Sequence, residues 1–241
     1  MIATSQASLL TTLTTTPLFS LSLTLAAYLL GIFIYRKTGQ ISILQPVVTG
    51  IVFVIGSILL LELDLASYLQ GVDILNTLLG TATVALAYPL YQNFSMIKSN
   101  VAPIAFCIVV CGTISSGVAV FLAWSVGAST PVLLSIAPKS ITTPFAIGVA
   151  ESIGGYPSLA AALVIVTGII VAVIATPTFR LMNINSPKIQ GLAMGMTGHG
   201  IATTRAFEIS NETGAFSALG MGLMGVYIST ILPYIALLMR L

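Results

Sequence analysis

The chain has 241 residues, 57% of them apolar and only 6% charged, with a mean hydropathy of +1.08 and a formal charge of +2. Soluble domains are about a quarter charged, so there is too little polar chemistry to cover a water-facing surface, and lipid must be the solvent for most of the exterior. A charge of +2 gives no case for nucleic acid as a partner. The absence of GxSxG, HExxH, Walker A and CxxC patterns removes the familiar enzyme classes, and one histidine with few carboxylates cannot build a metal or cofactor site.

Along the chain, Met1 to Thr16 is polar and uncharged, and the apolar run Pro17 to Tyr35 follows, closed by Arg36 and Lys37. A secretory signal carries its positive charge before the apolar stretch. This run is therefore expected as a retained helix with its C-terminal end in the cytoplasm and the N-terminus outside. A span needs roughly 20 apolar residues to cross about 30 Å of hydrocarbon, and the runs that qualify are 17–35, 44–61, 76–94, 101–125, 158–179 and 214–239. Glu62, Asp64 and Asp73 decorate the link 62–75. Cys107 and Cys111 share a helix face and are expected as small buried side chains rather than metal ligands.

Two further stretches, 131–153 and 188–212, are apolar on average yet interrupted by Pro, Gly and charge. The basic links at Arg36-Lys37, Lys98 and Arg180 to Lys188 should share the inner side. Three full crossings between Lys98 and Arg180 would break that rule, so one segment there should fail to cross. Pro131, Pro138, Lys139, Pro144, Gly148, Glu151 and Gly154 single out 131–153 as a re-entrant pair of half-helices, a plain kinked span being the alternative. Broken backbone is tolerated at membrane depth only where protein or a watery cavity surrounds it.

Shifted by 60 residues, the stretch from Lys139 aligns without a gap on the stretch from His199. Ile141/Ile201, Thr143/Thr203, Ala146/Ala206, Gly154/Gly214, Leu159/Leu219, Leu163/Leu223 and Val166/Val226 are identical. If each unit is a re-entrant segment followed by one span, the two units are upside down relative to each other, the inverted repeat of many secondary transporters. If both broken segments span, the units are parallel. The fold expected is thus all-α and polytopic, with six full spans and two broken segments: N-terminal helices at 17–125, repeat unit one at 131–179, and repeat unit two at 188–239, all in one domain.

Thr143-Pro144 has the form of a helix start, and Thr203-Thr204 can play the same part after Gly198-His199-Gly200. Two half-helix N-termini facing one another would make a pocket for an anion. Lys139, Ser140, Thr142, Thr143, His199, Thr203, Thr204 and Arg205 are the candidate substrate-binding residues. A buried Arg or Lys costs about 3 kcal/mol on insertion scales, so Arg205 needs a partner, either Glu208 three residues on or a substrate carboxylate. Glu151, Glu208 and Glu212 are candidates for coupling or ion pairing, with solvation at segment ends as the bland reading. The GxxxG-like run Gly191 to Gly195 speaks for close helix contact.

At these same residues the sequence resembles the LrgB/CidB family, which includes the C-terminal half of the plastidal glycolate/glycerate translocator. The stretches that carry the likeness are LLGTATVALAYPLYQN from Leu78, PKSITTPFAIGVAESIGGYPSL from Pro138, GLAMGMTGHGIATTRAFE from Gly191 and TGAFSALGMGL from Thr213. The resemblance implies a multi-pass membrane protein, and the absence of an Arg- and Ser-rich leader leans toward the bacterial cytoplasmic membrane rather than an organellar envelope. The resemblance also implies a smaller LrgA/CidA-type membrane partner, and homo-oligomers stay open. Two functions come with it: transport of small carboxylates such as glycolate, glycerate, pyruvate or lactate, and holin/antiholin-like control of murein hydrolases and lysis. The paired half-helix starts beside Lys139 and Arg205 favour the first.

Overall fold

A computed structural model describes residues 16–39, 41–85 and 87–239; the polar N-terminal stretch before Thr16 lies outside them. Among the described residues the structure is helical with no strand. The helices are α1 (Pro17–Lys37), α2 (Pro46–Leu60), α3 (Leu65–Gly71), α4 (Asp73–Ala85), α5 (Ala87–Gln92), α6 (Phe94–Lys98), α7 (Val101–Ser125), α8 (Thr130–Ile136), α9 (Thr143–Ile153), α10 (Pro157–Leu181), α11 (Pro187–Ile209) and α12 (Asn211–Met239). Four of them, α1, α7, α10 and α12, are long and apolar enough to cross a membrane.

The two other expected spans differ. Helix α2 has 15 residues, about 22 Å at 1.5 Å per residue, short of the hydrocarbon thickness. The run 76–94 is divided among α4, α5 and the start of α6. Its polar Asn93, outside helical geometry at φ −101° and ψ 14°, separates the last two pieces.

The chain divides into two compact units, 1–85 and 86–241. In the first, Thr16 caps α1 by accepting the Phe19 N–H, with Pro17 in the opening turn, and Arg36 and Lys37 sit at the negative end of the helix dipole. Helix α2 lies on α1 where Gly31 meets Thr49 and Pro46. Helix α3 joins α1 through a 2.6 Å bond between the Tyr68 and Thr24 hydroxyls. Asp64 caps α3, its carboxylate accepting from both the hydroxyl and the N–H of Ser67 at 2.7 and 2.8 Å. Those two bonds, the hydroxyl's first, hold the Asp64 carboxyl below the usual carboxylate range.

The second unit is built on α7, α10 and α12. Helix α7, grouped above with the N-terminal helices, belongs here. It runs parallel to α12: Gly112 faces Met224 and Tyr227, Thr113 and Tyr227 share a 2.6 Å hydroxyl bond, and Trp124 lines one cavity with Ile235 and Ala236. Helix α8 turns back along α7, so that Lys139, just past its end, reaches Ser115. Helix α9 then reverses, starting with Phe145 against Gly225 and finishing with Gly155 beside Ser135. Gly154, at φ 85°, ends α9 in the left-handed conformation that glycine adopts without cost. The segment 131–153 is thus a hairpin of two half-helices.

Helix α11 is a second hairpin. His199, at φ 42° and ψ −135°, breaks it into 187–198 and 200–209. Gly191 and Gly195 of the first arm face Thr213 and Ser217 of α12 in parallel, whereas Phe207 of the second arm packs on Gly214 and Thr203 bonds Ser217. A straight helix would hold residues 191 and 207 about 24 Å apart, yet both lie against the start of α12. The first hairpin opens toward the C-terminal end of α7 and the second toward its N-terminal end. They have the opposed sense of an inverted repeat. The core between them holds Ile104, Ile108, Ile141, Val164, Phe216 and Met224, all nearly or fully buried.

Candidate functional site

The two hairpin tips stop about one helical turn apart. Phe145, in the first turn of α9, touches Gly225, and a side chain at Gly200 would meet Met221, one turn earlier on α12. On α10 the second tip is marked by Val164 and Gly168, which hold His199; on α7 the first is marked by Ser115, fifteenth of the 25 residues of that helix. The half-helix starts do not stack on one another. Helices α9 and α11 meet through α10 and α12, against which each is packed.

The local geometry differs from the expected caps. The N-cap of α9 is Thr142 (φ −67°, ψ 149°), not Thr143, and its side chain makes no capping bond. Proline is tolerated anywhere in the first helical turn, where N–H groups lack intrahelical partners, so Pro144 does not fix the start to one residue. Thr203 and Thr204 are not caps either. The second arm of α11 begins directly after His199, so both threonines are already helical and their hydroxyls turn back to the carbonyls of His199 and Gly200 at 2.7 and 3.1 Å.

Three polar groupings result. In the first, the Lys139 ammonium donates to the hydroxyls of Ser115 and Ser140, each at 3.1 Å, and the two hydroxyls lie 3.3 Å apart. Ser140 is buried and Lys139 half-buried, and among the described residues no carboxylate is within ion-pair distance of Lys139.

In the second, buried His199 bonds through Nε2 to the Val164 carbonyl at 2.9 Å. A carbonyl only accepts, so Nε2 carries the proton. Thr203, also buried, joins His199 to Ser217 at 2.9 Å.

In the third, Arg205 bonds Glu208 at 2.7 Å as an i,i+3 pair. Glu208 is next to the end of its arm, at the outer level rather than deep. Thr143 sits in the first turn of α9, Glu151 is exposed near its end, and Glu212 is in the first turn of α12, where the dipole favours an acid. No direct contact brings Lys139 together with His199 or Arg205.

Ser115, Ser217 and the Val164 carbonyl were not singled out by the sequence. Each is a common residue or backbone group inside an unbroken apolar helix, with no local signal. Cys111 is exposed, unlike the buried side chain expected. Among the described residues no cluster of three His, Cys, Asp or Glu could hold a metal.

Two cavities flank the first grouping. One, of about 630 Å³ between α7, α8 and α12, has no charged residue in its lining. The other, of about 620 Å³ along α7 and α8, ends on Lys139.

No solved structure matches the chain. It is 34% identical over 206 residues to the uncharacterized protein YxaC of Bacillus subtilis (strain 168), covering 85% of this chain and 88% of that one. It is 32% identical over 216 residues to YwbG of the same organism, covering 90% and 96%. With the holin-like protein CidB of Staphylococcus aureus (strain N315) the identity is 34% over 190 residues, covering 78% and 81%. The LrgB-like family model matches residues 24–238. A polytopic helical protein with two opposed hairpins and these relatives, this chain belongs to the LrgB-like family.

Proposed function

We propose that the chain is the membrane subunit of a carrier for small organic anions. The observation that supports this most is Lys139, a cation at half the depth of α7 whose bonds go to two serine hydroxyls and to no acid among the described residues. A lysine in such a place is costly unless a negative partner visits it. The opposed hairpins, ending within about a turn of each other on α12, suit alternating exposure of the region between them to the two sides. The substrate class is a carboxylate, and a smaller LrgA/CidA-type membrane subunit is the expected companion. Arg205, already paired with Glu208, is the weaker candidate for substrate contact.

A second reading is favoured by the comparisons. The Staphylococcus relatives carry the name holin-like protein CidB, which speaks for a role in membrane permeabilisation and lysis control. The names of the relatives support this reading more than they support transport, whereas the half-buried lysine with no acid beside it supports transport. Uptake of labelled pyruvate, lactate and glycolate into proteoliposomes, with and without the partner subunit, separates them. Saturable uptake that falls at least tenfold in Lys139→Ala is expected of the carrier. Leakage of a bulky dye, indifferent to Lys139→Ala and with no saturable uptake, favours the holin-like reading.

A further inference from the structure

The groove along α7 and α8 has one polar end. Its walls are Ile114, Val118, Leu122 and Ile136, and Lys139 closes it beside Ser115. Ile114, Val118 and Leu122 are all at least half exposed, so these walls stand open in the chain. An ammonium has three donors, and Ser115 and Ser140 take two of those of Lys139.

Ser115 lies about 21 Å along the axis from the start of α7 and about 15 Å from its end. A phospholipid headgroup anchored at the interface does not reach that depth. A small carboxylate does. The apolar walls continue to Val126, about 16 Å beyond the Ser115 level along α7, and the lining offers no further donor side chain for the hydroxyls of a sugar acid or the second carboxylate of a diacid.

We propose that this groove binds a monocarboxylate with an apolar tail, a short-chain fatty acid in preference to a hydroxy acid, its carboxylate on Lys139, Ser115 and Ser140 and its tail along Val118 and Leu122. The proposal rests on the anion-carrier reading and narrows its substrate class. Each methylene laid into the groove removes apolar surface from water, which tightens binding by at most about fourfold.

Binding is tested apart from transport. Val118→Cys is introduced into full-length protein with Cys107→Ser and Cys111→Ser, and the rate of maleimide labelling is followed in nanodiscs with acetate, butyrate, hexanoate or glycolate added. Hexanoate is expected to slow labelling at the lowest concentration, butyrate next, and glycolate least. Lys139→Gln should abolish protection, Lys139→Arg should keep part of it, and Ser115→Ala should weaken it severalfold. A cysteine placed by Leu181→Cys, at the exposed far end of α10, should label at one rate throughout and reports that each variant is folded.

Equal protection by glycolate and hexanoate, protection that survives Lys139→Gln, or none from any acid overturns the proposal; the last result leaves the groove to lipid or a partner helix. Protection by an acid that is not itself taken up into proteoliposomes would remove the carrier reading and keep this site. Uptake without protection would do the reverse.

Discussion

His199 is the residue on which the second hairpin turns. Its backbone departs from helical geometry alone, with helix on either side, and its ring is held by the Val164 carbonyl and pressed against Gly168. A methyl group at Gly168 would stand 2.7 Å from Cε1 and 2.9 Å from Nε2. The ring is buried and hydrogen-bonded, so it cannot swing aside. Gly168→Ala is therefore expected to destabilise the protein by about 1–3 kcal/mol, read as a lowered Tm in detergent, while Gly222→Ala, where the added methyl meets nothing, leaves Tm unchanged. The sequence offered Gly198-His199-Gly200 as the stretch before a helix start. It could not show a reversal within one residue, because Gly168, which makes room for the ring, lies in an uninterrupted apolar helix with no local sign of its task.

Elements were legible where hydrophobicity is continuous and obscure where it is not. The runs 101–125, 158–179 and 214–239 became α7, α10 and α12 nearly to the residue, since long apolar runs in lipid have few alternatives to a helix. The run 76–94 broke into pieces, and composition alone does not show where helices stop. The break in 131–153 was legible from its prolines and Gly154, but not the cap at Thr142, because three adjacent positions tolerate the same start. The 60-residue repeat captures direction better than environment: Gly154 ends α9 with positive φ, whereas its counterpart Gly214 is helical and packed under Phe207.

The spacing of Gly191 and Gly195 carried a packing message that the structure repeats, the two residues facing the carbonyls of Thr213 and Ser217 on the parallel α12. A methyl at Gly195 would strike the Ser217 carbonyl oxygen, which is backbone and cannot rotate away. Gly195→Ala should force the first arm of α11 off α12 and cost near the top of the about 1–3 kcal/mol range for overpacking. Thermal unfolding checks this, with Gly117→Ala, which meets open space, as the silent control.

Over the second unit the few charges and the course of the helices agree. Helix α7 leaves the end where Lys98 lies, the first hairpin enters and returns at the far end, and α10 crosses back, so Arg180 and Lys188 come to the Lys98 end. Three basic residues on one side is what the positive-inside rule requires, and it holds because 131–153 turns back instead of crossing. The mouths of the two hairpins must then face opposite sides of the membrane. Ser152, at the mouth of the first, and Asn211, at the mouth of the second, are both exposed, unlike Thr213, which is fully buried. With Cys107 and Cys111 replaced by serine, a membrane-impermeant maleimide added to intact cells should label Ser152→Cys and spare Asn211→Cys, and inside-out vesicles should reverse the pattern. The positive-inside rule makes the basic end the expected cytoplasmic end, with Asn211 as the expected inner site. Labelling of both from one side would mean that one hairpin crosses, which would make the two repeats parallel and count against the proposed alternating exposure of Lys139.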